Sequence, residues 1–494
     1  MTVSIENHGH TMSNTTASYV LEIEVPAKFI GNMMDFFYQK YLISQKNRFT
    51  NVARFTENGQ PVLTYDVLDS TGKRSLSVRV YGDSILRIEI TPLSVGVAPQ
   101  AVEEARQDVA IGIDYFEEQI RQSTLYFAWR EGEEIVPEVI SNKEKKPLNR
   151  LFLETQILLF VVFTTVSLFL FVGLESLQYG WLAPITILAI QLVVVFYSNK
   201  FVERTADWRI TPNNPSIHLL EYRLPMEEKE NFKKNYPADK LKAIKKEVYE
   251  QSILKKGEID CDTTGQIFGK YGLQCSPENL SAKKVNVYEL VEKTRQKFGF
   301  PMPNVVVSNT MAPNAAASGP SPSRGTVLIT TGLLAQLNED EIISVLGHEF
   351  GHLRGRDPLL LFGLMSAEFL FRFYVLLAFI PWLFSSLLFF VYFWAVLTLI
   401  FFIAKFFEAR ADLVSAIVIH QPKVLADALE KIGFKRLLFE RIPSYRLQEW
   451  ISLDPHPPIY FRVDRLRALK ETDNIRYPLA RSAKDVTRGF LQSF

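Results

Sequence analysis

A chain of 494 residues with 55 Lys and Arg against 54 Asp and Glu, net +1, has room for two or three soluble units plus membrane segments. It lacks the basic balance of a nucleic-acid binder. Thirty-seven Phe and a mean hydropathy of +0.04, with the apolar residues gathered into two blocks, point to lipid. Its two cysteines, Cys261 and Cys275, form neither a disulfide framework nor a CxxC site, which predicts free thiols in a reducing compartment, with a single bridge between them as the alternative.

Residues 1–17 are polar and lack an apolar core, so no secretory signal is expected. Tyr19, Leu21 and Ile23 alternate as in a strand, and Pro26 opens a helical stretch with Phe29, Met33, Phe37 and Tyr41 four apart. Strands are predicted around 51–56, 62–68, 75–81 and 84–91, separated by turns at Asn58-Gly59, Thr71-Gly72 and Gly82-Asp83. Pro99 starts a longer helix with Val102, Ala105, Val109, Phe116 and Ile120 on one face. The order β-α-β-β-β-β-α fits an antiparallel sheet covered by helices and is similar to that of helix-grip ligand-binding domains. Residues 1–135 are therefore expected to form an N-terminal α+β domain without a catalytic constellation; His8 and His10 in the polar tail are read as incidental.

Residues 136–150 are a polar linker ending in Lys143, Lys145, Lys146 and Arg150. Two apolar stretches follow, about 155–174 and 179–198, each near the length that crosses a bilayer. No Lys or Arg lies between them, while Lys200, Arg204 and Arg209 follow, so the positive-inside rule puts both ends in the cytoplasm. A second block after Asp357-Pro358 is expected to be another hairpin, roughly 359–380 and 383–404, turning near Pro381-Trp382. Arg354 and Arg356 before it, and Lys405 and Arg410 after it, again place both ends in the cytoplasm. Glu368 and Arg372, one turn apart, either neutralise each other in or near lipid or mark 359–373 as lying partly against protein, which leaves the start of this span open.

Between the blocks, residues 199–357 are charged, with a Lys-rich helix at Pro237–Gln251, an amphipathic helix at Val285–Lys297, and strands at Val305–Ser308 and Thr326–Thr331. The run NEDEIISVLGHEFGHLRGRDP then reads as a helix carrying H-E-x-x-H. Asn338 and Glu341 have capping-box spacing, and Glu339, Asp340 and Glu341 lie at the positive end of the helix dipole. One turn separates His348 from His352, so both imidazoles leave one face and can grip one metal ion, with Glu349 beside them to take a proton from metal-bound water. A catalytic zinc site needs a third protein ligand. FFEARADLVSA offers Glu408 as that ligand and Asp412, one turn on, as the acceptor that fixes a histidine tautomer; by itself the same spacing suits an ordinary surface helix.

The series GHEFGHLRGRDP, an apolar hairpin, EARADLVSA and HPPIYFR resembles the HtpX-like family of integral-membrane zinc metalloproteases, which also contains the CAAX prenyl proteases. The resemblance covers about residues 245–475 and the hydrophobic spans. It implies an α+β zincin-type, gluzincin-like and mainly α-helical protease domain with four transmembrane helices in two hairpins, plus the extra N-terminal α+β domain. The segments are then 1–135, linker 136–150, hairpin 151–198, first protease part 199–357, hairpin 358–406 and second protease part 407–494.

Position by position, the resemblance makes His348, His352 and Glu408 ligands of one zinc ion, Glu349 the general base, and Asp412 the supporting aspartate. His456, in Asp454-Pro455-His456-Pro457-Pro458, matches a histidine thought to hold the oxyanion. Arg462 matches the arginine six residues later, which orients His456 or pairs with an acidic neighbour. Asn314 and Ala315, in PNAAASG, fall on a strand edge where an extended peptide adds as a further strand. Lys405 stands where many relatives have Arg.

The implied function is a membrane-bound zinc endopeptidase that cleaves membrane or membrane-associated proteins at the cytoplasmic surface, as in quality control. Its partners would be polypeptides, membrane proteins first, and the lipid bilayer. Its place would be the plasma membrane as a multi-pass protein with both termini cytoplasmic, or the endoplasmic reticulum of a eukaryote. Two alternatives are a protease of prenylated C-terminal peptides, whose relatives carry more spans, and a non-catalytic zinc-binding membrane adaptor.

Overall fold

The computed structural model describes residues 16–23, 29–130 apart from 70, 84 and 95, 132, 169–224 apart from 171, 232, 234–273, 279–440 apart from 385, 443–470 and 475–493. These fall into two compact units, one within Met1–Leu125 and Tyr222–Asn231, the other within Tyr126–Glu221 and Phe232–Phe494. The first expected span and the basic linker lie almost wholly outside the described residues, as do His8, His10 and Cys275; Cys261 is an exposed free thiol.

In the first unit, strands β1 (Ala17–Glu22), β2 (Phe49–Glu57), β3 (Gln60–Leu68), β4 (Arg74–Tyr81) and β5 (Ile85–Pro92) form an antiparallel sheet in the order β1-β5-β4-β3-β2. Asn58 and Gly59 both have positive φ, 51° and 82°, as the two-residue hairpin turn requires. Helix α1 (Ile30–Phe36) continues as a π-turn over Phe37–Leu42. Phe37 and Tyr41 thereby pack beside Tyr65 and Phe49 of the sheet. Helix α2 (Pro99–Ser123) supplies buried Asp108, which accepts from Tyr41 Oη at 2.7 Å and pairs with Arg48 at 2.9 Å.

The second unit is mostly helical. The strand β6 (Thr124–Arg130), which alternation did not reveal, pairs in a three-stranded sheet with β8 (Ser216–Arg223), itself flanked by β9 (Leu280–Asn286). Helix α3 (Ala183–Phe196) is the second expected span. It stops at Tyr197, and the chain turns by 53° into α4 (Ser198–Thr205). The bend lets polar α4 reach the second sheet: Glu203 accepts from Asn304 at 2.6 Å and from Thr326 at 2.9 Å. That sheet runs β11-β12-β10-β7, from β7 (Trp208–Ile210), β10 (Asn304–Ser308), β11 (Ala315–Ser318) and β12 (Thr326–Thr330). β10 and β12 are parallel and β11 is the antiparallel edge. Helix α5 (Val287–Phe298) and helix α6 (Glu339–Gly355) pack on it around a core that includes Val305, Val307, Val327, Ile329, Leu346 and Phe350.

The second hairpin begins with α7 (Asp357–Phe371), prolonged to Phe379 through a π-turn, and returns as α8 (Leu388–Ile419). Among the described residues two helices, Asp357–Phe379 and Leu388–Ile419, are long and apolar enough to cross a membrane, or three if the bent pair counts as one span. Four were expected. Glu368 and Arg372 pair at 3.1 Å, and Tyr392 of α8 donates to Glu368 at 3.0 Å, so the pair is satisfied within the hairpin. Helix α8 does not end near residue 404 as anticipated: it continues unbroken for 32 residues. Helices α9 (Pro422–Glu440), α10 (Pro443–Ile451), α11 (Ile459–Arg467) and α12 (Pro478–Leu491) complete the unit.

Candidate metal centre

Helix α6 starts with the anticipated capping box: Asn338 Oδ1 accepts from Glu341 N, and Glu341 Oε2 from Asn338 N, both at 2.9 Å. Three turns on, His348 and His352 project side by side, with ring centroids 4.7 Å apart and planes at 87°. Their Nε2 atoms are 3.1 Å apart. From α8, Glu408 places Oε2 3.4 Å from His348 Nε2 and Oε1 3.4 Å from His352 Nε2. Donors bound at 2.0–2.2 Å around a tetrahedral ion stand roughly 3.3–3.6 Å from one another. Two imidazole nitrogens and a carboxylate at this spacing fit zinc.

The approach of α8 depends on glycine in G-H-E-F-G-H. A Cβ on Gly351 would lie 3.0 Å from Ala411 Cα, and one on Gly347 would lie 2.6 Å from Ser415 Oγ. With hydrogen at both positions the backbones nearly touch, and Ser415 Oγ donates to Ser344 O at 2.8 Å.

Each histidine leans on a carboxylate through Nδ1. For His348 it is Asp412 Oδ1 at 2.9 Å, an ion-pair contact that does not complete a hydrogen bond. For His352 it is Asp357 Oδ2 at 2.7 Å. Each carboxylate is held in turn by an arginine. Arg462 grips Asp412 with two bonds, 2.9 and 2.7 Å; Arg410 donates to Asp357 Oδ2 at 2.5 Å and to Gly351 O at 3.1 Å. Such partners keep the Nδ1–H tautomer and leave Nε2 free for a metal. Burial alone would lower both histidines, but Asp412 and Glu408 raise His348 and Glu408 and Asp357 raise His352, the latter well above the usual range. The field at the site favours a cation. For Arg462, burial is outweighed by Asp412, which holds the guanidinium firmly charged.

Arg462 therefore acts on the histidine through Asp412; the pairing with an acidic neighbour, not with His456, is what forms. Asp357 and Arg410 escaped the sequence reading. Their signal was an aspartate five residues after His352, at the head of the next helix.

Glu349 points to the edge strand: its Oε2 accepts from Ala317 N at 2.8 Å. The outward-facing main chain of β11 thus belongs to Ala315 and Ala317. Asn314 turns the other way, its N–H donating to Thr330 Oγ1 at 2.9 Å and its carbonyl accepting from Thr330 N at 3.0 Å. Only its exposed side chain is left for a substrate.

His456 Nε2 lies 3.6 Å from Glu408 Oε2, and its side chain is 44% exposed. Asp454 Oδ1 accepts from both the His456 backbone N–H and Nδ1, each at 2.8 Å. Arg436 anchors Asp454 Oδ2 at 2.8 Å, and buried Lys405 of α8 donates to the carbonyls of Ser452, at 3.3 Å, and Asp454. Burial works against the Asp454 charge, yet His456 and Arg436 hold its carboxyl well below the usual range. Glu440 accepts from the first amides of α11, Ile459 N at 2.8 Å and Tyr460 N at 2.9 Å, fixing the helix that carries Arg462.

The profile of Peptidase family M48 matches residues 281–472. A protease HtpX homolog of Gemmatimonas aurantiaca is 30% identical over 217 residues, 37% of this chain and 75% of that protein. Another, from Tropheryma whipplei, is 32% identical over 212 residues, 38% and 72% respectively. The crystal structure of Ste24p from S. mikatae overlaps 73% of this chain and 82% of its own at 14% identity, with a TM-score of 0.30. With the sequence relatives covered over more than two thirds of their length, this chain belongs to the HtpX-like branch of Peptidase family M48, a family of membrane metalloproteases.

Proposed function

We propose that this protein is a zinc-dependent endopeptidase of a multi-pass membrane protein, cutting membrane or membrane-associated polypeptides at the cytoplasmic face in protein quality control. The observation that carries the reading is the convergence of His348, His352 and Glu408 at ligand spacing, with Glu349 bonded to the edge strand β11 through Ala317 N. His348, His352 and Glu408 hold the ion; Asp412 and Asp357 orient the two histidines. Zinc at this place would acidify a water and polarise a peptide carbonyl. Glu349 takes the proton of the attacking water at a carboxylate oxygen and returns it to the leaving amine nitrogen. His456, steadied by Asp454, donates from Nε2 to the developing oxyanion. The substrate lies as an added strand on Ala315 and, once Glu349 gives up its bond to the Ala317 N–H, on Ala317, with the Asn314 side chain at its flank.

The membrane assignment rests on where the ligands sit. Helix α7 begins five residues after His352, and Glu408 belongs to α8 itself. Arg354, Arg356, Lys405 and Arg410 gather at that end and favour the cytoplasmic side. Casein cleavage by the full chain in detergent, abolished by a chelator and restored by zinc, is the expected result. Cleavage that persists after the metal has been stripped to nothing overturns the reading.

A further inference from the structure

Behind the metal centre, at the same end of the α7/α8 hairpin, an open cleft of about 440 Å³ lies between the last turn of α6, the stretch of α8 around Arg410 and Val414, and the start of α12. Three arginines line it, Arg354, Arg410 and Arg476, and among the described residues no acidic one does. Arg410 is already engaged with Asp357 and Gly351. Arg354 and Arg476 have no hydrogen-bond or ion-pair partner among the described residues. Arg476 only lies over the Tyr477 ring, 5.6 Å from its centre. Much of the remaining lining is aliphatic, and at the mouth Tyr477 is 66% and Leu479 42% exposed.

Two uncommitted cations above an apolar floor would be a poor arrangement for a soluble surface, where exposed apolar side chains gain nothing from water. It suits a membrane boundary. There an anionic headgroup finds the guanidinium groups, its upper acyl carbons find the floor, and Tyr477 stands at headgroup depth. The volume is within the range of small-molecule sites. We propose that this cleft is a headgroup site for an anionic glycerophospholipid, held at its phosphate by Arg354 and Arg476. The site touches the metal centre at two removes. Arg410, on its wall, holds Asp357, and Asp357 holds Nδ1 of His352. A bound lipid would thus brace the arginine that braces a ligand. The proposal rests on the hairpin's lying in a bilayer and is independent of peptidase activity.

The test is thermal unfolding of the full chain in uncharged detergent, titrated with short-chain phosphatidylglycerol, with phosphatidylcholine of the same chain length, and with inorganic phosphate. Phosphatidylglycerol is expected to give a saturable rise in midpoint of about 2 °C or more, absent in the double variant Arg354→Gln/Arg476→Gln and retained in the double Lys variant. Casein cleavage is followed separately, so a failed peptidase reading leaves this readout intact. An equal rise with phosphatidylcholine, or a rise that survives in the double Gln variant, overturns the site. A rise reproduced by inorganic phosphate alone makes it a free-anion site and overturns the lipid.

Discussion

Glu349 Oε2 accepts a hydrogen bond from the backbone N–H of Ala317 at 2.8 Å. The group proposed to move the proton is therefore tied to the strand edge proposed to bind the substrate. Glu349→Gln keeps an acceptor for that N–H and leaves the three ligands untouched. The variant is expected to bind zinc at full stoichiometry while casein cleavage falls by about 10²–10⁴-fold; cleavage near wild type would remove Glu349 from the mechanism.

Gly351→Val puts atoms where Ala411 already stands, since even a Cβ there comes within 3.0 Å of its Cα. Helix α8 must move away, taking Glu408 with it. Overpacking of this kind costs about 1–3 kcal/mol. The expected outcome is a lower unfolding midpoint together with substoichiometric zinc by elemental analysis.

Asp357→Asn weakens the hold on His352 Nδ1 and leaves Arg410 without its charged partner. Loss of such a support typically costs about 10–100-fold in metal affinity. Competition with a chromophoric chelator measures it, and the double variant Asp357→Asn/Arg410→Gln should not recover the loss.

Asp454→Asn separates turnover from binding. Asp454 meets His456 and Arg436 but no metal ligand. The expected change is a kcat lower by about 10–100-fold, with KM and zinc content close to wild type. A change in KM alone would place His456 in substrate binding instead.

His218 on β8 is buried, Nε2 has no hydrogen-bond partner among the described residues, and its pKa is pushed down to about 4 by burial, with Lys284 adding to the shift. The unfolded chain then binds the proton more readily than the folded one. Stability from this group is complete above about pH 6.5 and is lost as pH falls towards 4, a total of about 2–3 kcal/mol. Denaturant unfolding at pH 7 and pH 5 checks the direction, and His218→Gln should flatten the difference.

Much of the candidate site was legible because its chemistry is written in short spacings. H-E-x-x-H is one helical turn, and Glu408 and Asp412 are another. What stayed hidden depends on long-range placement. Asp357 and Arg410 meet 53 residues apart, and Lys405 reaches carbonyls 47 and 49 residues away. Neither leaves a local pattern. Strand β6 was missed for a similar reason: TLYFAWR is buried at Thr124 and Phe127–Arg130, so it lacks the alternation that marks a half-exposed strand. The meander β2 to β5 was legible because its turns carry their own residues.

Helix α8 is one rod of about 48 Å, and the glycines of α6 fasten the two histidines to its side. Ligands and membrane helix therefore travel as one body. In the proposed membrane setting, a bilayer too thick or too thin would tilt that rod and leave the spacing of His348, His352 and Glu408 unchanged. What it would alter is the height of the strand edge above the lipid. Membrane thickness would then govern which polypeptides reach the centre and leave its chemistry alone.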